Sequence, residues 1–234
     1  MKLLGVDSTA TAASVAVMSD GKLLAVNFSN TGLTHSQTLL KMVDDALSTA
    51  GIKISDIDAF AVSVGPGSFT GVRIGTSLVK GMAQPLGKKC VSVSTLEAIA
   101  KPLENTGVYA VSVMDARCNQ VYTAQFDCEE GLKRMTEDEA ISISDLTESL
   151  KTIDKKIVLI GDGARLCFDK MKDDIPAITI APLNIRYQSA ASVALIANEK
   201  INSQEECLVE AAQLLPDYLR LSQAERELKK KNEK

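Results

Sequence analysis

VGPGSFTGVRIG, residues 64–75, sets four glycines and a proline within twelve positions, directly behind the largely apolar run 57–64. An apolar run that feeds a glycine-rich turn and then a helix, here about 71–86, is the pattern of a buried and mostly parallel strand. So much backbone freedom could hold a phosphate, close a tight turn or admit another surface. The Gly-Lys-Ser/Thr ending of a Walker loop is missing, and the spacing is not the Rossmann G-x-G-x-x-G. The helix start could still attract an anion through its unpaired N–H groups. The geometric alternative is favoured: Gly71, Gly75 and Gly81, mixed with Thr76 and Ser77, leave one helix face almost bare. Glycine inside a helix costs about 1 kcal/mol per site, which close approach of a partner helix would have to offset. Ser68–Gly71 is then the turn that aims this face.

Upstream, Leu3–Val6, Ser14–Met18 and Leu23–Phe28 read as a three-stranded meander with a turn at 19–22. From Thr34 the period becomes helical: Leu39, Leu40, Met42, Val43, Ala46, Leu47 and Ala50 fall on one face, with Thr34 as cap and Gly51 as stop. Downstream the plan repeats. Tyr109–Met114 runs into Asp115 as Leu3–Val6 runs into Asp7, Gln120–Phe126 returns, and IVLIGDGARL (157–166) echoes AVSVGPGSFT (61–70). The second copy lacks a clear counterpart of the 34–50 helix. The expected division is a first domain of 1–103 plus about 205–225, which carries the docking helices, a smaller second domain of 104–204, and a flexible tail at 226–234. A helix is expected over 190–198, and LLPDYLRLSQAERE should pack back on the rest. A duplicated α/β unit that opens with a meander and carries an Asp at its first hairpin resembles the actin, Hsp70 and sugar-kinase (ASKHA) superfamily. Two domains of that fold class are therefore expected.

In that superfamily the two hairpins face each other and cradle ATP phosphates, which would assign Asp7, Ser8, Thr9, Asp115 and Arg117 to nucleotide contact. Ser8-Thr9-Ala10 and Ala116-Arg117-Cys118 lack the glycine that lets backbone and phosphate approach, so a structural turn with a capping Asp is the competing reading. His35 is the only histidine. An H-E-x-x-H peptidase or a two-histidine metal site cannot be built from it, and Gly65–Phe69 is no G-x-S-x-G elbow. No metal site is expected, and His35 reads as a polar residue at a helix start or an interface. The five cysteines are widely spaced, with no C-x-x-C pair. They read as small core residues in a reducing, cytoplasmic setting. No stretch suggests a signal peptide or a membrane span. A net charge of −4 and the absence of Trp argue against unaided grip on nucleic acid. The lysine-rich end, 225–234, reads as a solvated terminus.

Leu4-Gly5-Val6-Asp7-Ser8-Thr9, Thr34-His35-Ser36, the whole of 65–75, Asp115-Ala116-Arg117 with Val121-Tyr122, and Pro216-Asp217-Tyr218-Leu219-Arg220 together resemble the TsaB (YeaZ) family of bacterial tRNA-modification proteins. The likeness covers residues 1 to about 226, although Asp7-Ser8-Thr9 inverts the family's more usual Asp-Thr-Ser. It implies a noncatalytic subunit that pairs with TsaD, the catalytic subunit moving a threonylcarbamoyl group onto N6 of adenosine 37 in tRNAs that read ANN codons. It also implies an ATPase partner, TsaE, a homodimer when alone, tRNA contact only within the complex, and ATP or ADP only in that assembly. Carried onto this chain, the interface would use His35, Ser36, Leu39 and Met42 from the first helix and Gly71, Arg73, Gly75, Val79, Gly81 and Met82 from the second. A nucleotide hydrolase or kinase acting between Asp7 and Asp115 is the alternative, and a glycoprotease-like peptidase stands last.

Overall fold

The first unit opens with the expected meander, β1 (Lys2–Asp7), β2 (Ala13–Ser19) and β3 (Lys22–Ser29), in a computed structural model that describes residues 1–203 and 206–220. α1 (His35–Ala50), β4 (Ala59–Gly65), α2 (Phe69–Ala83), β5 (Lys89–Ser94) and α3 (Thr95–Ala100) follow. The second unit runs β6 (Tyr109–Asp115), β7 (Gln120–Asp127), β8 (Lys133–Arg134), β9 (Glu139–Ser142), α4 (Ile143–Leu150), β10 (Ile157–Ile160), α5 (Ala164–Met171) and β11 (Ile178–Ile180). α6 (Ala190–Asn202) and β12 (Leu208–Val209) then return to the first sheet.

That sheet has the order β12-β5-β4-β1-β2-β3, and the second the order β11-β10-β6-β7-β8, with β9 also on β7. In both, an antiparallel hairpin (β1–β2, β6–β7) continues into parallel pairings (β1–β4–β5, β6–β10–β11). The doubled α/β plan of the actin, Hsp70 and sugar-kinase superfamily is therefore present. β4 lies between two parallel neighbours and is buried along its whole length, which accounts for its apolar sequence.

α1 and α2 cover one face of the first sheet: Leu39, Val43 and Val79 meet Leu4, Val6, Val15, Phe60 and Val62. α6 covers the opposite face, where Val193, Ala194 and Ala197 meet Leu3, Ala16, Met18 and Val91. α6 thus lies within the span expected for the second unit, yet it packs on the first sheet. α3 and the turn after it join the units, with Leu96 and Ile99 of the helix and Leu103 beyond it set against Met114, Ala124 and Phe126. Burial of each such side chain stabilises by about 1.5–3 kcal/mol, so this contact holds the two sheets as one body.

Three expectations need correction. α2 starts at Phe69 rather than Gly71, because Ser68 caps it and its Oγ accepts the Gly71 N–H at 3.3 Å. Thr34 holds the N-cap position of α1 but makes no side-chain cap bond, while Gly51 ends that helix in the left-handed region (φ 66°). The second unit does have a counterpart of α1 in α4, which precedes its parallel strand as α1 precedes β4. Its eight residues, ISDLTESL, carry too short an apolar period to stand out in the sequence. The lysine-rich tail lies outside the described residues.

Candidate partner interface

Asp7 closes β1 and is fully buried. Its Oδ2 accepts from Ser63 Oγ at 2.5 Å, and its Oδ1 accepts from the Thr9 N–H at 3.0 Å and from Thr9 Oγ1 at 2.9 Å. Loss of hydration pushes its carboxyl above the usual carboxylate range, against the pull of those hydrogen bonds and of nearby His35. Ser8 and Thr9 are also buried. Ser8 Oγ donates to the Gly71 carbonyl at 2.9 Å, and the Ser68 N–H donates to the Thr9 carbonyl at 2.7 Å.

This hairpin explains the glycines. A Cβ at Gly71 would overlap the Ser8 carbonyl oxygen, one at Gly75 would lie 2.5 Å from Ser8 Oγ, and one at Gly67 would lie 2.5 Å from the Thr9 carbonyl oxygen. The bare face of α2 thus faces inward and admits the chain's own β1–β2 turn. Gly71 and Gly75 are buried and cannot meet a partner helix; Gly81 alone of the three faces open space. Leu39, Met42, Val79 and Met82 are likewise core residues, because they occupy the stripes that pack α1 and α2 on the sheet. His35 is half-buried, and its Nε2 lies 2.7 Å from the Ala10 carbonyl oxygen, tying α1 to the same turn.

The sealed turn does not fit a nucleotide. Phosphate oxygens need free N–H groups and room, but the Thr9 N–H is spent on Asp7 and the Ser8–Thr9 backbone abuts α2. The Asp7, Ser8 and Thr9 side chains hold the turn against β4 and α2. Asp115 and Arg117, on the matching turn of the second unit, are exposed. Arg117, Cys118 and Asn119 all take positive φ (63°, 53° and 58°), and the Arg117 N–H donates to Asp115 Oδ1 at 2.7 Å. Cys118 is exposed too, unlike the core cysteines expected from the sequence. Beside this turn, Asp162 is reached by solvent yet ringed by protein; lost hydration, helped by the Asp115 charge, lifts its carboxyl to about 6. Sequence reading missed Asp162, whose place beside Asp115 comes from the close approach of Gly163 to the end of β6.

What α1 and α2 offer outward is a different set. Ser36, Gln37, Leu40, Lys41 and Asp44 are exposed on α1, and Thr70, Arg73, Ser77 and Gly81 on α2. The helices lie side by side. Along α2 runs the segment 211–220, which sequence reading placed against the body without naming its seat. Lys80 Nζ donates to the carbonyls of Ala212 (3.2 Å) and Leu214 (3.1 Å), and the Asp217 N–H donates to the Val64 carbonyl at 2.7 Å. Gly65 is required there: its φ is +133°, and a Cβ would strike the Asp217 carbonyl oxygen. Tyr218 stacks on Phe69 with ring centroids 4.5 Å apart. Arg220 donates to the Ala116 carbonyl of the second unit at 3.1 Å.

Comparison with known proteins agrees with this architecture. The family model for TsaD, tRNA N6-adenosine threonylcarbamoyltransferase, matches residues 29–228. A tRNA threonylcarbamoyladenosine biosynthesis protein TsaB from Escherichia coli strain K12 is 35% identical over 70% of this chain and 72% of its own. The chain belongs to the TsaB family. Its role is accordingly in tRNA threonylcarbamoyladenosine biosynthesis. The TsaB of Bacillus subtilis strain 168 is 28% identical and spans 96% of both chains. The solved structure of YeaZ from Pseudomonas aeruginosa, 26% identical, superposes with a TM-score of 0.76 over 93% of this chain and 100% of that one. Among the described residues, no helix is long and apolar enough to cross a membrane.

Proposed function

We propose that this chain is a noncatalytic pairing and activating subunit for threonylcarbamoyl transfer to N6 of adenosine 37, acting by docking on the transferase TsaD. The observation that carries this reading is the sealed first hairpin. Asp7, Ser8 and Thr9 are spent on internal hydrogen bonds beneath α2, so the place where the superfamily's enzymes hold phosphate serves here as packing. Docking uses the outward rows of α1 and α2, with Ser36 and Leu40 on the first and Arg73, Ser77 and Gly81 on the second. The same surface pairs two copies when TsaD is absent. TsaE joins the TsaD-bound form, and tRNA is met only in that assembly, in keeping with a net charge of −4.

Reconstitution tests this reading. Purified TsaD, TsaE, tRNA and threonylcarbamoyl-adenylate are expected to form the modified nucleoside only when this chain is added; equal product without it refutes the activating role. A nucleotide hydrolase remains the second reading, because Asp115 and Arg117 are open to solvent. It requires ATP turnover by the purified chain that disappears in Asp115→Ala.

A further inference from the structure

Arg73 is an exposed, long cation on the outer row of α2, yet it is already held. Its guanidinium lies over the Phe69 ring, 3.9 Å from the centroid, and its Nε–H donates to Tyr218 Oη at 2.9 Å. Tyr218 in turn stacks on Phe69 and faces the same guanidinium at 5.8 Å. The ring is delivered by the segment 211–220, which Lys80 fastens at one end of α2 and the Val64–Asp217 hydrogen bond fastens at the other. We propose that Tyr218 is a positioning residue that fixes Arg73 in its docking rotamer before TsaD arrives, making 211–220 a working part of the interface.

The physical ground is the cost of ordering. An arginine immobilised at an interface gives up side-chain freedom on binding, and a side chain ordered beforehand does not. A cation over an aromatic face with one hydrogen bond supplies that order, and leaves the remaining guanidinium N–H groups for a carboxylate or carbonyl of the partner. The small outward residues Ser77 and Gly81 follow Arg73 along the row and give the partner room to reach it.

This inference rests on the docking reading above, and one set of variants separates the two. Association of the full-length chain with TsaD is measured by calorimetry for wild type, Tyr218→Ala, Tyr218→Phe, Arg73→Ala and the Arg73→Ala/Tyr218→Ala pair, with Ser77→Arg and Gly81→Arg as probes of the face itself. Tyr218→Ala is expected to weaken pairing about 3- to 10-fold, Tyr218→Phe about 2-fold, and Tyr218→Ala to add nothing once Arg73 is gone. In the free chain, exchange of the Arg73 Nε–H followed by NMR is expected to speed up in Tyr218→Phe; unchanged exchange means that the hydroxyl does not hold the guanidinium and overturns the positioning role. If Ser77→Arg or Gly81→Arg abolishes pairing while Tyr218→Ala leaves it unchanged, docking stands and the positioning role is overturned. An equal loss from Tyr218→Ala with and without Arg73 also overturns it. If Ser77→Arg and Gly81→Arg leave pairing intact, the docking reading is what fails.

Discussion

The two hairpin turns, 7–13 and 115–120, come from matching places in a duplicated plan and have opposite fates. In the first, Asp7 is buried beneath α2 and its carboxylate is consumed by Ser63 and Thr9. In the second, Asp115 is exposed and the turn beyond it takes three successive left-handed residues. The difference lies in the helix that follows each parallel strand. Gly67 just ahead of α2 and Gly71 and Gly75 within it leave no side chain in the way, so the turn sinks against that backbone. α5 begins after Gly161 and Gly163, with Ala164 and Arg165 next, and those two glycines press on Val113–Asp115 at the end of β6 rather than on residues 116–119. A duplicated unit keeps a hairpin open or seals it through the residues of the neighbouring helix.

Substitutions can be aimed at that contrast. The largest effect is expected from Gly71→Val, which forces the β1–β2 turn off α2 and should cost about 3 kcal/mol or more. Gly163→Ala, where the nearest backbone atoms lie 3.1 Å from the added carbon, should cost about 1 kcal/mol. Urea denaturation of both variants measures the difference, and equal losses would remove the asymmetry. Next comes Asp7→Ala, which strands the buried Thr9 N–H and should cost about 2–3 kcal/mol, whereas Asp115→Ala at the exposed turn should stay within about 0.5 kcal/mol.

The pH dependence carries the same contrast with its sign fixed. Asp162 titrates at about 6 in the folded chain and near 3.8 when unfolded, so the folded state binds the extra proton between those values. Its stabilising contribution is present below about pH 4 and lost as pH rises through 6. Asp162→Asn should therefore flatten that fall and raise stability at pH 7, as followed by melting temperature across pH 4–8. Asp7, also raised, acts in the same direction. The smallest effect is expected from Cys118→Gly, which relieves one left-handed residue and should stabilise by no more than about 0.5 kcal/mol.

Much of the fold was legible because alternation and helical period report burial directly. β1–β3, α1, β4 and β6–β7 fall where the apolar residues place them. α4 was not legible, being eight residues long. The candidate site was read less well. Gly71 and Gly75 were rightly marked as places of close approach, but what approaches is Ser8, 63 residues upstream of Gly71. Leu39, Met42, Val79 and Met82 show why a helix known to be amphipathic does not announce which stripe a partner sees. Arg73 was named, while its partner Tyr218 lies 145 positions away and no local pattern links them.

The duplicated α/β plan, the glycine-rich strand-to-helix turn and the want of a second histidine can be read from the residues alone, because these depend on local period and on composition. That the bare face of α2 closes over its own hairpin, and that 211–220 runs along the same helix, emerges from long-range packing. Both depend on which distant backbone comes near, and a carbonyl oxygen at Ser8 or Asp217 looks the same in any sequence until the fold sets a glycine against it.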